Sequence, residues 1–271
     1  MKHRDILKTK KRIVIKIGTN LITHDNGNIN LLRMEKLVRV LADLHNMGKE
    51  VMLVSSGAVG AGMGKLCRDE APETVVEKQA LAAIGQAELL RIYQKFFDDY
   101  NQTLGQVLLT RDGIENSVRR NNARNTIHRL LEMNVIPVIN ENDTVSTQEI
   151  EFGDNDMLSA EVANLIQADL LIIMTNTNGV YTSNPYLHKD AQQVSTVITA
   201  KEDLKDIVFE GKSSLGSGGM ETKIQAAELC REHNIDVVIA EGLNPAQIYD
   251  ILDGKPFGTL FVSESTERNS G

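Results

Sequence analysis

The chain has 271 residues, with 29 Lys+Arg against 37 Asp+Glu and a formal net charge of −8. Hydrophobic residues at 41% and charged residues at 24% describe an ordinary globular chain, one that buries roughly 75% of its unfolded surface and is not disordered. Its acidity argues against general binding to nucleic acid or anionic membrane, and the absence of Trp with only 4% aromatics argues against base- or sugar-stacking platforms. An anionic ligand must then be held by a local concentration of donors.

The two cysteines, Cys67 and Cys230, are too far apart in sequence for a CxxC zinc site or a disulfide framework, and are read as reduced thiols. Met1–Arg12 carries six Lys/Arg but lacks the apolar stretch of a secretory signal, and no apolar run approaches a membrane span. A cytoplasmic protein is expected.

In chain order, Arg12–Ile17 (RIVIKI) predicts a strand ending in Gly18-Thr19-Asn20. Leu31–Met47 predicts a helix with Met34, Leu37, Val38, Leu41 and Leu44 on one face, stopped by Gly48. Val51–Val54 predicts a short buried strand running into Ser55-Ser56-Gly57. A long helix over Glu77–Asp98 is expected to turn Ala80, Ile84, Leu89, Ile92 and Phe96 inward. Gln106–Thr110 reads as a strand, Arg119–Met133 as a helix and Val135–Asn140 as a strand.

The second half repeats the alternation. Asn155–Ala168 reads as a helix, Asp169–Thr175 (DLLIIMT) as a strand and Glu221–His233 as a helix. Ile235–Ala240 reads as a strand, Pro245–Leu252 as a helix with Pro at its start, and Thr259–Val262 as the last strand. Continuous apolar strands separated by helices predict an α/β fold with a mainly parallel sheet covered on both faces. One domain is expected over 12–262, with lobes 12–168 and 169–262 sharing one sheet, followed by a polar tail at 263–271.

In such sheets ligands lie beyond the carboxyl ends of the strands. Three glycine-rich stretches fall there or at a helix start. Lys16-Ile17-Gly18-Thr19 closes the first strand; a Lys in an apolar strand is costly unless its ammonium meets an anion, the alternative being a solvent-facing Lys on an edge strand. Ser55–Gly64 (SSGAVGAGMG) offers backbone N–H groups to a carboxylate or phosphate, the alternative being a flexible glycine loop, but does not fit GxGxxG, so no dinucleotide fingerprint is present. Gly216–Lys223 (GSGGMETK) combines donors at a helix start with Lys223 and suits a polyphosphate; it is not a Walker A loop.

Between these stretches lies the densest polar cluster, Asn140-Glu141-Asn142-Asp143 followed by Phe152-Gly153-Asp154-Asn155-Asp156. It lacks the glycine of an EF-hand, and no metal ligand set is assigned. Carboxylates beside amides suit an ammonium group such as that of an amino acid, and a helix cap by Asp154 is the plainer alternative. None of the six His follows a strand near a glycine loop. A carboxylate nucleophile, ionised at neutral pH, needs no such base.

Arg12–Thr19 (RIVIKIGT), Val54–Ala58 (VSSGA), Gly105–Arg111 (GQVLLTR), Ile139–Asp143 (INEND), Gly153–Asp156 (GDND) and Gly218–Lys223 (GGMETK) occur in an order that resembles the amino-acid kinase family across nearly the whole chain. The resemblance implies a three-layer α/β/α sandwich and ATP-dependent phosphorylation of the L-glutamate γ-carboxylate, with Mg²⁺, as the first step of proline biosynthesis. It implies catalytic roles for Lys16, Lys223 and Asp156, the last holding the two lysines. Substrate binding would fall to Ser56, Gly57, Asp143, Asp154 and Asn155 in a mainly glutamate-binding lobe.

ATP binding would fall to Lys16, Thr175, Asn176, Ser217, Gly218, Gly219, Met220, Glu221, Thr222 and Lys223, mainly in the second lobe. The family often carries Asp at the position of Asn176 and Thr at that of Ser217. Homo-oligomers (dimers or tetramers) and feedback inhibition by proline through Thr144–Gly153 are further implications. The chain is read as the kinase domain alone, without the C-terminal PUA domain of some members. The alternatives are a kinase of another small carboxylate or carbamate, and a regulator without turnover; the latter predicts a lost lysine or broken glycine loop, and neither is seen.

Overall fold

β-Branched runs set the centre of the molecule. In a computed structural model describing residues 2–24, 27–145, 155–199, 203–204 and 219–270, Arg12–Ile17 forms β1. It is followed by β2 (Glu50–Ser55), β3 (Leu104–Leu109), β4 (Ile136–Glu141), β5 (Leu170–Thr175), β6 (Thr196–Val197), β7 (Asp236–Glu241) and β8 (Thr259–Phe261). Among the described residues these make one eight-stranded sheet in the order β3-β4-β2-β1-β5-β7-β8-β6. Every neighbouring pair is parallel except β7 and β8.

Helices cover both faces, as continuous apolar strands require. Successive β1 residues point to opposite sides, so Ile13, Ile15 and Ile17 enter one core with Leu37, Leu41, Leu89 and Phe97. Val14 enters the other, with Leu158, Val162, Ala226 and Cys230. This is the three-layer α/β/α sandwich. Lys16 shares the pleat of Val14 and therefore faces the Asn155–Leu165 helix, which packs on β1.

From β1 the chain moves toward β2 on one side, and from β5 toward β7 on the other. The crevice between β1 and β5 is thus the topological switch point, where open α/β sheets bind ligands. Lys16 is in register with Val54 of β2 and Ile173 of β5, so it stands in the middle of the sheet and not on an edge.

Several expectations need correction. Ala80 is exposed and Ile84 is 37% exposed, because the buried stripe of the Val75–Asp99 helix runs through Leu81, Gly85, Leu89 and Ile92, one residue further round. The glycine-rich stretch after Gly57 is not an open loop but a helix, Ala58–Lys65. Gly57 initiates it at φ 93°, the left-handed region that favours glycine, and a Cβ there would also push on Ile22 Cδ1, 2.7 Å away. Gly85 comes so close to this helix that a Cβ would sit 1.7 Å from the Ala58 carbonyl oxygen. The absent side chains are what let the two helices touch. Cys230 is buried, as a reduced core thiol should be, whereas Cys67 is exposed.

The polar end of the chain forms a helix, Glu264–Ser270. It is tied down by Asp236, fully buried at the start of β7. That carboxylate accepts from Ser263 N (2.7 Å) and Thr266 Oγ1 (2.9 Å) and pairs with Lys10 Nζ (2.6 Å). Near the other end, Arg4 donates to the carbonyls of Lys255, Phe257, Ser195 and Gly258 at 2.7–3.1 Å. Among the described residues no helix is long and apolar enough to cross a membrane.

Candidate active site

The lysine that β1 turns toward the Asn155–Leu165 helix meets that helix's first turn. Lys16 Nζ lies 2.5 Å from Asp156 Oδ1, and Lys223 Nζ lies 2.9 Å from Oδ2 of the same carboxylate. Asp156 is fully buried, and the side chains of Lys16 and Lys223 are 3% and 8% exposed. Taking an isolated carboxylate out of water costs several kcal/mol, which two ammonium partners offset. Thr222 Oγ1 lies 3.1 Å from Oδ2 and 2.9 Å from the Gly219 carbonyl, toward which Lys223 Nζ also donates at 3.3 Å. These four residues carry one net positive charge.

Two glycines adjoin the lysines. Among the described residues, a Cβ added at Gly18 would meet only Lys16 Nζ, at 3.9 Å, and one at Gly219 would meet only Glu221 N, at 4.0 Å. Among the described residues, then, no other atom crowds either glycine next to the paired lysines, and backbone at such glycines is what a cradle for phosphoryl oxygens needs. Gly219 precedes the Met220–Glu232 helix, whose first turn carries Glu221, Thr222 and the buried Lys223. Thr175 ends β5, two residues beyond the level of Lys16, and Asn176 follows it on the surface. Lys16 and Gly18, Thr175 and Asn176, and Gly219–Lys223 thus lie about the β1/β5 crevice.

The second cluster adjoins the first through the peptide bond between Asn155 and Asp156. The Asn155 Nδ2 group lies within donor distance of Ser55 O (3.0 Å), Ser56 Oγ (2.9 Å) and Asn140 Oδ1 (2.8 Å). It ties the ends of β2 and β4 to the helix that carries Asp156. Asn140 Nδ2 donates in turn to Gln86 Oε1 at 2.7 Å, and Ser55 Oγ is 2.9 Å from the Tyr93 hydroxyl. Burial pushes the Tyr93 phenol up to about 12, so it stays protonated. Asp143 lies in the turn after β4 and is partly buried.

The structure thus brings Lys16, Lys223, Asp156, Thr222 and Gly219 together around one carboxylate, and Ser56 and Asn155 together beside it. Gly57, Met220 and Glu221 flank these groups along the chain. Asp154, Ser217 and Gly218 lie outside the described residues. Gln86 and Tyr93 belong to the same polar cluster and were not anticipated. The available signal was a Gln and a Tyr two helical turns apart on the buried side of an otherwise apolar helix face.

Among the described residues no group of three or more His, Cys, Asp or Glu is arranged to hold a metal ion. A separate cavity of about 590 Å³, lined by Ile29, Leu32, Glu35, Lys65, Arg91 and Phe96 among others, contains none of these site residues.

At the switch point of a central parallel sheet, one buried aspartate thus holds a pair of lysines. The chain matches the amino acid kinase family over residues 11–241, and it belongs to that family. It is 47% identical over 268 residues to the glutamate 5-kinase of Clostridium perfringens, covering 97% of this chain and 100% of that one. It is likewise 47% identical to the glutamate 5-kinase of Listeria monocytogenes, with 97% of both chains covered.

In fold it is similar to the carbamate kinase of Giardia lamblia bound to AMP-PNP. The TM-score is 0.65 at 18% identity, over 95% of this chain and 100% of that one. The UMP kinase of Bacillus anthracis gives a TM-score of 0.66 at 17% identity, over 94% and 97%.

Proposed function

We propose that this chain is a glutamate 5-kinase, transferring the γ-phosphoryl group of ATP to the γ-carboxylate of L-glutamate as the first step of proline biosynthesis. A carboxylate oxygen forms the new P–O bond while the bond from the γ-phosphorus to the β–γ bridging oxygen breaks, its electron pair leaving with ADP. No proton moves, so no general base is needed, in keeping with a site built from lysines and amides. The observation that carries this reading is Asp156, buried and held between Lys16 and Lys223. It fixes two cations where charge accumulates on the transferred phosphoryl group, and such preorganised charge is the main resource of phosphoryl transfer.

In this reading Lys16 contacts the transferred phosphoryl group and Lys223 neutralises the ATP side, with Asp156 positioning both. Ser56, Gly57, Asp143, Asp154 and Asn155 receive glutamate. Thr175, Asn176 and Ser217–Lys223 receive the nucleotide. Glutamate then lies mainly over 12–168 and ATP mainly over 169–262.

Mg²⁺ fits as an ion carried in on the nucleotide, because both Asp156 oxygens already face ammonium groups; when bound, it supplies further neutralisation of the phosphates. A cytoplasmic homo-oligomer, dimeric or tetrameric, inhibited by proline through Thr144–Gly153, completes the proposal.

The test is hydroxamate formation from glutamate, ATP and hydroxylamine, which traps the acyl phosphate, run beside aspartate, acetylglutamate and carbamate with ADP release as readout. Glutamate-dependent hydroxamate is expected. ADP release with another acid but not with glutamate overturns the substrate assignment, and none with any overturns the kinase reading.

A further inference from the structure

The polar chain beneath Ser56 ends on Gln86, a residue outside every glycine loop. Asn140, 2% exposed, uses its Oδ1 twice: the Glu141 N–H donates to it at 2.9 Å and Asn155 Nδ2 at 2.8 Å. That is possible only when the Asn140 amide is turned with its Nδ2 away from both donors. Gln86 Oε1 enforces this orientation by accepting from Asn140 Nδ2 at 2.7 Å. Reversing the amide would set N–H against N–H at two buried contacts and leave the Gln86 oxygen facing another oxygen.

Gln86 reaches this position because Gly85 lets its helix lie against Ala58, where any Cβ would collide with the carbonyl. Tyr93, seven residues on, presents its hydroxyl to Ser55 from the same helix face.

We propose that Gln86 is a positioning residue of the glutamate subsite, orienting Asn140, through it Asn155, and through that the Ser56 hydroxyl. This rests on the assignment of Ser56 and Asn155 to glutamate recognition. The relay leads to the amino-acid side of the site, while the lysines are held separately by Asp156. Loss of Gln86 should therefore be felt in glutamate binding and not in ATP binding.

The experiment compares the full chain with Gln86→Leu, Asn140→Ala and the double variant, measuring KM for glutamate, KM for ATP, kcat and melting temperature. Gln86→Leu is expected to raise the glutamate KM about tenfold or more while the ATP KM stays within about twofold. In the Asn140→Ala background the same substitution is expected to add less than about twofold, because the relay is already cut. Should Gln86→Leu not fold, Gln86→Met, unbranched and of similar length, carries the same expectation.

An unchanged glutamate KM, an equal rise in both KM values, or full additivity with Asn140→Ala overturns the proposal. If the unmodified chain forms no hydroxamate from glutamate, the functional reading fails and this proposal with it. If the unmodified chain is active and Gln86→Leu matches it, this proposal alone fails.

Discussion

Lys16 and Lys223 occupy opposite oxygens of a single carboxylate, at 2.5 Å and 2.9 Å from Asp156 Oδ1 and Oδ2. One lysine comes from the central strand and the other from the first turn of a helix in the second half of the chain. The helix between them supplies the charge that holds both. Replacing Asp156 by Asn keeps the shape and removes the charge that two buried ammonium groups share. A stability loss of about 3–5 kcal/mol is expected by chemical denaturation. A loss under about 1 kcal/mol would show that the lysines find other partners.

Each lysine is expected to matter for turnover beyond its share in folding. Lys16→Met and Lys223→Met keep much of the side-chain volume and remove the cation. Glutamate-dependent ADP release should fall about 10²–10³-fold in each, the cost of losing one preorganised donor to a developing anion. Circular dichroism should report the native fold. A variant with turnover within about tenfold of the parent would remove that lysine from the phosphoryl site.

Glycines of the Ala58–Lys65 helix and its partner should respond unequally to alanine. A Cβ at Gly62 would lie 2.0 Å from the Leu81 carbonyl oxygen and one at Gly85 1.7 Å from that of Ala58, whereas one at Gly60 finds its nearest neighbour, Thr19 Cγ2, at 3.6 Å. Gly62→Ala and Gly85→Ala are expected to cost about 1–3 kcal/mol or more by forcing the helices apart. Gly60→Ala should be neutral or stabilising by about 0.5–1 kcal/mol, since alanine loses less backbone entropy in a helix. Thermal unfolding of the three variants checks the ranking.

Glu88 gives a pH dependence of definite sign. Arg91, 2.7 Å away, and Lys65, 3.2 Å away, hold its carboxyl down at about 2 in the folded chain. A folded value below the unfolded one means the contribution is complete above the ordinary carboxylate range and is lost as the pH falls toward about 2. Glu88→Gln is expected to flatten the stability profile between about pH 4.5 and pH 2 and leave its slope near neutrality unchanged. Denaturant midpoints across that range provide the check; a parallel shift at all pH values would contradict it.

The strands were legible because parallel, doubly covered strands are continuous apolar runs, which composition alone exposes. Leu170–Thr175 needed nothing more than DLLIIMT. The glycine-rich helix was not legible, because glycine reads as loop wherever its neighbours are unknown. Here it serves close packing against Leu81 and Gly85, residues far along the chain. The inward face of the long helix was read correctly at Leu89 and Ile92 and was off by one position at Ala80 and Ile84 for the same reason: Gly85 contributes no hydrophobic signal yet lies at the closest contact. Lys16 was legible as a costly charge in an apolar strand, while its meeting with Asp156 and Lys223 followed only from the resemblance to the amino-acid kinase family. Gln86 was not, because only the register of β4 against β2 and the helix–helix contact bring it to Asn140.

Arg4 imposes an order of events on the newborn chain. Its guanidinium reaches the Gly258 carbonyl across 254 positions, and Gly258 N donates to the Asn178 side chain in the stretch that follows β5. Arg4 is made long before its acceptors, of which Ser195 comes first and Lys255–Gly258 later. This corner cannot close until Gly258 has been made. Contacts of such sequence separation form slowly and late, so the edge of the sheet beside the proposed nucleotide site is expected to be the last part of the protein to become protease-resistant as it is made.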